Sequence, residues 1–282
     1  MPQAKKSLVD LFGSDVCIDA VDIGANPIES DGVPPYQALL DAGHATVVGF
    51  EPSLDALKQL NDRKGPNELY LPHAVFDGSD QILKVCQAPG MTSLLEPNME
   101  LLEYFHGFPN WGKVVDRVPL STVRLDDVEE IQNIDLLKID IQGGELEVFR
   151  NGTDRLRDCL VIHTEVEFLP MYKDQPLFSE VEIFLRSQGF LFHKVDSLVS
   201  RTVKPLQVNN DPFSGLSQVF WADAYFVKDF TKLNLLSLEK LKKLALILHD
   251  IYGSFDLALR VLMACDEKSG TTYANQYPSL LN

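Results

Sequence analysis

Apolar runs alternate along the chain with segments whose apolar residues recur at helical spacing. This predicts an α/β fold, a Rossmann-like, mostly parallel sheet flanked by helices. A first strand is predicted over 16–23, stopping at Gly24-Ala25-Asn26. A helix follows over 33–42, opened by Pro34-Pro35, because proline suits a first helical position whose N–H needs no partner. A second strand covers 46–50, and Ser53 is the natural N-cap of a helix carrying Leu54, Leu57 and Leu60. Residues 68–74 read as a third strand, with further extended runs over 81–86 and 114–123. The nearly continuous apolar residues of 134–141 predict a central strand buried on both faces, with 159–166 the next. Ser179 with Glu182 fits a capping box for a helix ending near Gly189. The runs 190–195 and 218–227 close the sheet as an antiparallel pair.

Two segments break this rhythm. Residues 88–116 carry Pro89-Gly90, Glu96-Pro97 and Phe108-Pro109, and read as an irregular insert or lid with a short helix around 100–105. The rings of Phe105, Phe108 and Trp111 are either contacts at a substrate entrance or the insert's own small core. Toward the end, amphipathic helices over 238–251 and 255–264, broken at Gly253-Ser254, form a helical hairpin. It reads as a brace on the sheet, with assembly into a homo-oligomer as the alternative. The predicted division is a domain over 1–230 and a helical extension over 231–282.

The 282 residues, 45% of them hydrophobic, suffice for one large α/β domain with a small appendage. The formal charge is -16, from 25 basic and 41 acidic side chains. Such a field repels a phosphate-rich partner unless a basic patch overrides it, and Lys242-Lys243 reads only as the solvated face of a helix. Nucleic acid is therefore not an expected partner. The cysteines Cys17, Cys86, Cys159 and Cys265 form no Cys-x-x-Cys pair, which removes zinc-ribbon and thioredoxin-like readings. Cys17 and Cys159 read as small buried apolar residues, and the usage fits a reducing cytoplasm. No apolar run approaches the roughly 18 to 20 residues that span a bilayer, and 1–10 lacks the apolar core of a signal peptide, so no membrane partner is expected.

The chemistry concentrates at strand ends. Val21-Asp22-Ile23-Gly24-Ala25-Asn26 runs a strand into a tight turn, where glycine lets backbone approach a ligand closely. In open parallel sheets such turns border the ligand crevice. The second and third glycines of a dinucleotide fingerprint are replaced by Asn26 and Glu29, which suits a cationic ligand better than a pyrophosphate. Glu51, in Phe50-Glu51-Pro52-Ser53 after the second strand, is placed to accept hydrogen bonds from ribose hydroxyls. Asp140 ends the central strand, and Gly143-Gly144 allow a sharp turn into a helix whose first residue, Glu145, complements the helix dipole.

The run from Lys138 to Phe149, Lys-Ile-Asp-Ile-Gln-Gly-Gly-Glu-Leu-Glu-Val-Phe, resembles the signature of FkbM-type methyltransferases, where a strand ends in Lys-x-Asp-x-Glu/Gln-Gly-x-Glu. Residues 21–26, the stretch 92–98 and the run Glu165-Val166-Glu167-Phe168 with Tyr172 also resemble that family, and the similarity spans about 16–230. The resemblance implies binding of S-adenosyl-L-methionine and methyl transfer to a small-molecule or carbohydrate acceptor, commonly at a hydroxyl. On that resemblance Asp22, Gly24, Ala25, Asn26, Glu51, Pro52 and Ser53 would line the cofactor pocket. Ala74 and Val75, with His73, would flank the adenine, and Asp140 would face the transfer centre. The chain departs from the family at Pro27–Tyr36, where another glycine and a short run into the helix are usual; Tyr36 reads either as a cofactor contact or as a core residue.

A hydroxyl acceptor must lose a proton, and Asp140 first and Glu165 second are the candidate bases. His163, inside an apolar strand, reads as a core histidine. Glu165 and Glu167 alternate along their strand end, so only one is expected to point into a given face. Asp140, Gln142 and Glu165 offer oxygen ligands to a divalent ion, yet no His-rich cluster supports a metal, and none is expected. The competing readings are a scaffold that kept the sheet and lost catalysis, and a nicotinamide-dependent oxidoreductase.

Overall fold

A computed structural model describes residues 6–13, 15–26 and 32–281. Its strands are β1 (Ile18–Ile23), β2 (Ala45–Phe50), β3 (Glu68–Leu71), β4 (Ala74–Phe76) and β5 (Asp80–Cys86), followed by β6 (Val114–Arg124), β7 (Leu136–Ile139), β8 (Val161–Glu167), β9 (Phe190–Arg201) and β10 (Gln218–Lys228). A seven-stranded sheet has the order β3-β2-β1-β7-β8-β10-β9. β1 pairs in parallel with β2 and β7, β2 with β3, and β7 with β8, while β10 runs antiparallel between β8 and β9. The order reverses beside β1, where the chain steps from β1–β3 on one side to β7 on the other. A smaller sheet, β4-β6-β5, stands apart from it.

The alternation of side chains along each strand explains the layers. Ala20, Leu136, Val161 and Val227 enter one apolar core, and their neighbours Val21, Leu137, Ile162 and Phe226 enter another on the opposite face. The predicted strand 68–74 divides at Pro72-His73, and its second part joins the small sheet. The predicted helix 33–42 shrinks to Gln37–Asp41, because Pro34 and Pro35 form the turn before it and Tyr36 is its N-cap. Ser53 is the N-cap of Leu54–Arg63, although its hydroxyl makes no capping bond. The capping box at Phe178–Ser187 is shifted: Glu180, not Glu182, accepts from the Leu177 N–H, and Glu182 pairs with Arg186.

The insert contains the short helices Met99–Leu102 and Phe108–Trp111. Phe105 and Phe108 are buried against Phe220 of β10, with ring centroids 4.4 and 5.1 Å away, so these rings enter a small core that the insert shares with the sheet domain.

The C-terminal helices cover one sheet face. Leu238–Leu246 continues into a wider turn, Ile247–Ile251, and packs with Phe255–Ser269 into the core that holds Ala20, Val47, Leu136 and Val161. Lys243 is not on a solvated face as expected. It is buried, and its Nζ donates to Asp135 Oδ2 (2.8 Å) and Asp19 Oδ2 (3.2 Å), while Lys240 Nζ donates to Asp135 Oδ1 (2.7 Å). Lys242 instead lies over the rings of Phe12 and Tyr273. Among the described residues, no helix is long and apolar enough to cross a membrane.

Candidate active site

The carboxyl ends of adjacent strands are stitched into one edge. Gly24 and Ala25 N–H groups donate to Phe50 O, Glu51 N donates to Leu71 O, and Asp140 N donates to Ile23 O. Gly24 has φ +82, and a Cβ there would overlap the carbonyl oxygen of Asp140. Only glycine tolerates both the left-handed backbone and that approach. The strand-end turn therefore sits directly against the end of the central strand.

Asp22 lies one row deeper. It is buried, accepting from Tyr36 Oη at 2.6 Å and from Lys138 Nζ at 3.1 Å. Tyr36 is thus a buried partner of Asp22. Burial, with the Asp22 carboxylate beside it, pushes the Tyr36 hydroxyl well above its ordinary range. The register carries this polar row across the sheet, from Asp22 to Lys138, His163, Tyr225 and Lys194. His163 lies between the rings of Tyr225 and Tyr252, 3.7 Å from Asp223 Oδ1, as a core histidine would.

Glu51 is buried at the end of β2, and its Oε1 accepts from Ser53 N at 2.7 Å. Among the described residues its second oxygen takes no hydrogen bond. Burial raises its affinity for a proton, opposed by the Ser53 N–H. Pro52 and Ser53 follow in the turn; Ala74 and Val75 are buried in the small sheet, paired with Thr122 and Val123. His73 lines a cleft of about 390 Å³ with Gly78, Thr122 and Arg124. Asn26 follows Ala25 at the exposed end of the turn, whereas residues 27–31, with Glu29, lie outside the described residues.

Past β7 the acids gather. Gln142, with φ +61, donates from Nε2 to Asp140 Oδ1 (2.9 Å) and to Glu165 Oε2 (3.1 Å). Its Oε1 accepts from Tyr172 Oη at 3.2 Å. Its carbonyl accepts from Ser93 Oγ of the insert at 2.7 Å. Glu145 does not simply complement a helix dipole: it is buried and folds back so that Oε1 accepts from Ile141 N (2.9 Å) and Gly143 N (3.2 Å). Burial, then the nearby Asp140 carboxylate, push its carboxyl up to about 7. The same causes, burial first, raise Glu165 and Glu167 well above the usual carboxylate range.

Glu165 and Glu167 both face this cluster, against the expectation that only one would. Residues two apart on a strand share a face, and each feels the charge of Asp140 and Glu145. Period-2 spacing is the signal that identifies Glu167. No pattern in the sequence distinguishes the roles of half-buried Gln142 and buried Tyr172 from those of an ordinary turn.

Residues 22–192 match the model of the methyltransferase FkbM domain. No curated protein matches the chain. Among solved structures, it is similar to a magnesium protoporphyrin IX methyltransferase from Synechocystis PCC 6803 with bound SAM. Identity is 10%, coverage is 78% of this chain and 74% of that one, and the TM-score is 0.40. It is also similar to a 16S rRNA (adenine(1408)-N(1))-methyltransferase from Catenulisporales acidiphilia, with 12% identity, 81% and 97% coverage and a TM-score of 0.36. With the matched segment running from Asp22 at the first strand's end through the acid cluster and into β9, the chain belongs to the FkbM family of S-adenosylmethionine-dependent methyltransferases.

Proposed function

We propose that the chain methylates a hydroxyl of a small-molecule or glycan acceptor, with its cofactor bound along the edge formed by the ends of β1, β2 and β7. The observation that carries this reading is the run of carboxylates along that edge: Asp22, Glu51, Asp140 and Glu165 stand at the ends of adjacent strands. The donor set fits the cofactor. Glu51 is a buried carboxylate with one oxygen taking no hydrogen bond among the described residues, suited to a diol. The acids beyond it suit a cation. Bound S-adenosylmethionine supplies an electrophilic methyl group on a sulfonium.

The chain's own residues do the rest. The turn Gly24-Ala25-Asn26 carries no side chain larger than asparagine, so the cofactor can approach it closely. Pro52 and Ser53 border the ribose end, and Ala74 and Val75 the adenine end. Asp140 and Glu165 bind the acceptor hydroxyl and take its proton. A carboxylate whose proton affinity is raised by burial is, once ionised, a stronger base than an ordinary one. The net charge of -16 favours a neutral or cationic acceptor over a phosphate-rich one. Four free thiols suit a cytoplasmic setting.

Calorimetry with S-adenosylmethionine, S-adenosylhomocysteine and NAD tests the reading. We expect micromolar binding of the first two, none of NAD, and a loss of about tenfold or more in Glu51→Ala, roughly one charge-assisted hydrogen bond pair. Tight NAD binding without a response to either adenosyl ligand would overturn it.

A further inference from the structure

Gln142 occupies a backbone conformation that glutamine seldom adopts. Its φ of +61 lies in the left-handed region, next to Gly143 at +99. Glycine would hold that turn with less strain, so the side chain must contribute something that offsets the cost. Its amide makes its contacts at both ends. Nε2 donates to Asp140 Oδ1 and Glu165 Oε2, at 2.9 and 3.1 Å, and Oε1 is held by the Tyr172 hydroxyl at 3.2 Å. Tyr172 is itself buried and anchored by its hydroxyl to Met91 O in the insert.

We propose that Gln142 is a positioning residue: one amide, oriented by Tyr172, yokes the carboxyl groups of Asp140 and Glu165 and favours their ionised forms beside the cationic methyl donor. This rests on the functional reading above.

The electrostatic surroundings give the yoke its effect. Glu165 faces Asp140 just after β7, Glu167 on its own strand, Glu145 on the helix Glu145–Arg150 and Asp223 on β10. Tyr172 approaches from the loop after β8, and Cys86 on β5 stands near that hydroxyl. Lys138 feels the charge of Asp140 and Asp223, but its ammonium donates to Asp22. Carboxylates so close repel, and burial adds to the cost of ionising them. A neutral donor that reaches two of them stabilises both charged forms without adding charge. Removing it leaves the repulsion intact, and one carboxyl then takes up a proton at a higher pH.

A sulfonium and a thioether of nearly the same shape read out this charge. The affinity ratio of S-adenosylmethionine to S-adenosylhomocysteine rises as the facing carboxylates ionise, and its pH dependence marks their titration. Calorimetry on the full chain between pH 5.5 and 9 would compare the wild type with Gln142→Gly and Tyr172→Phe. Gln142→Gly relieves the backbone, so it should unfold at no lower temperature than the wild type.

In Gln142→Gly we expect the ratio at pH 7 to fall about fivefold or more and its midpoint to move up by about one pH unit, the scale of a lost charge-assisted hydrogen bond. Tyr172→Phe frees the amide to rotate and should move the midpoint the same way by less. A wild type that binds both ligands alongside a Gln142→Gly protein with an unchanged midpoint overturns the role of Gln142 alone. A wild type that binds neither ligand overturns the cofactor reading and this inference with it.

Discussion

Glu145 carries a conflict between burial and charge that has a measurable consequence. Its carboxyl is held up to about 7 by burial and then by Asp140, although Ile141 and Gly143 N–H groups donate to it. The folded chain therefore holds a proton that the unfolded chain releases near the ordinary glutamate value of about 4.3. Its contribution is full below that value, and stability falls as pH rises through about 7, the reverse of a salt-bridged acid. Glu165 and Glu167 share the sign. Glu145→Gln keeps an oxygen for both backbone donors and removes the titration. Urea unfolding between pH 4.5 and 8 should show the variant gaining on the wild type as pH rises. The gain should reach about 3 kcal/mol, since each tenfold change in proton affinity is worth roughly 1.4 kcal/mol. A constant difference across that range would place the titration on other carboxyls.

The strands are legible in the sequence because their apolar runs are dense and β-branched: β1, β2, β7 and β8 lie within or almost within their predicted ranges. So are the turn after β1 and the acid at each strand end, since strand order alone brings Asp22, Glu51 and Asp140 to one edge. Short elements are legible only in part: helices stand near the predicted 33–42 and 100–105, but their bounds differ and Phe108–Trp111 is not foreseen. The helix Gln37–Asp41 and the insert's helices are set by turns and by long-range aromatic packing onto Phe220, which no local pattern encodes. Lys243 escapes the pattern for the same reason. On the helix Leu238–Leu246 it looks solvated, yet it reaches a fully buried Asp135 at the amino end of β7. Burial alone would raise the Asp135 carboxyl, but the Lys240 and Lys243 ammonium groups and the Asp19 N–H hold it below its usual range. Asp135→Asn leaves Lys243 with fewer anionic partners in a buried place. We expect a loss of about 3 kcal/mol in unfolding free energy, and a double-mutant cycle with Lys243→Met should give a coupling above about 1 kcal/mol. Additive effects would show that the pair does not clamp the helix to the sheet.

The family match ends at residue 192, and the helical extension lies beyond it. The extension nevertheless completes the fold. A seven-stranded sheet needs both faces covered, and among the described residues the helix between β1 and β2 is only Gln37–Asp41. The face that holds Ala20, Val47, Leu136, Val161 and Val227 is packed instead by Leu241, Leu244, Leu248, Val261 and Leu262 from the extension. All are buried, so the sheet and the helices share one core rather than meet at a polar domain interface. The Asp135 ion pairs lie at the same junction, and Lys194 Nζ donates to Tyr252 O at 3.0 Å on the far side of it. A core shared in this way unfolds as a unit. Calorimetry of the full chain should therefore show a single transition whose van't Hoff and calorimetric enthalpies agree. A fragment ending at residue 230 should expose the apolar face, bind a hydrophobic dye and aggregate. A soluble fragment that unfolds cooperatively and binds S-adenosylhomocysteine as the full chain does would show instead that 1–230 is a self-sufficient domain and the hairpin an appendage.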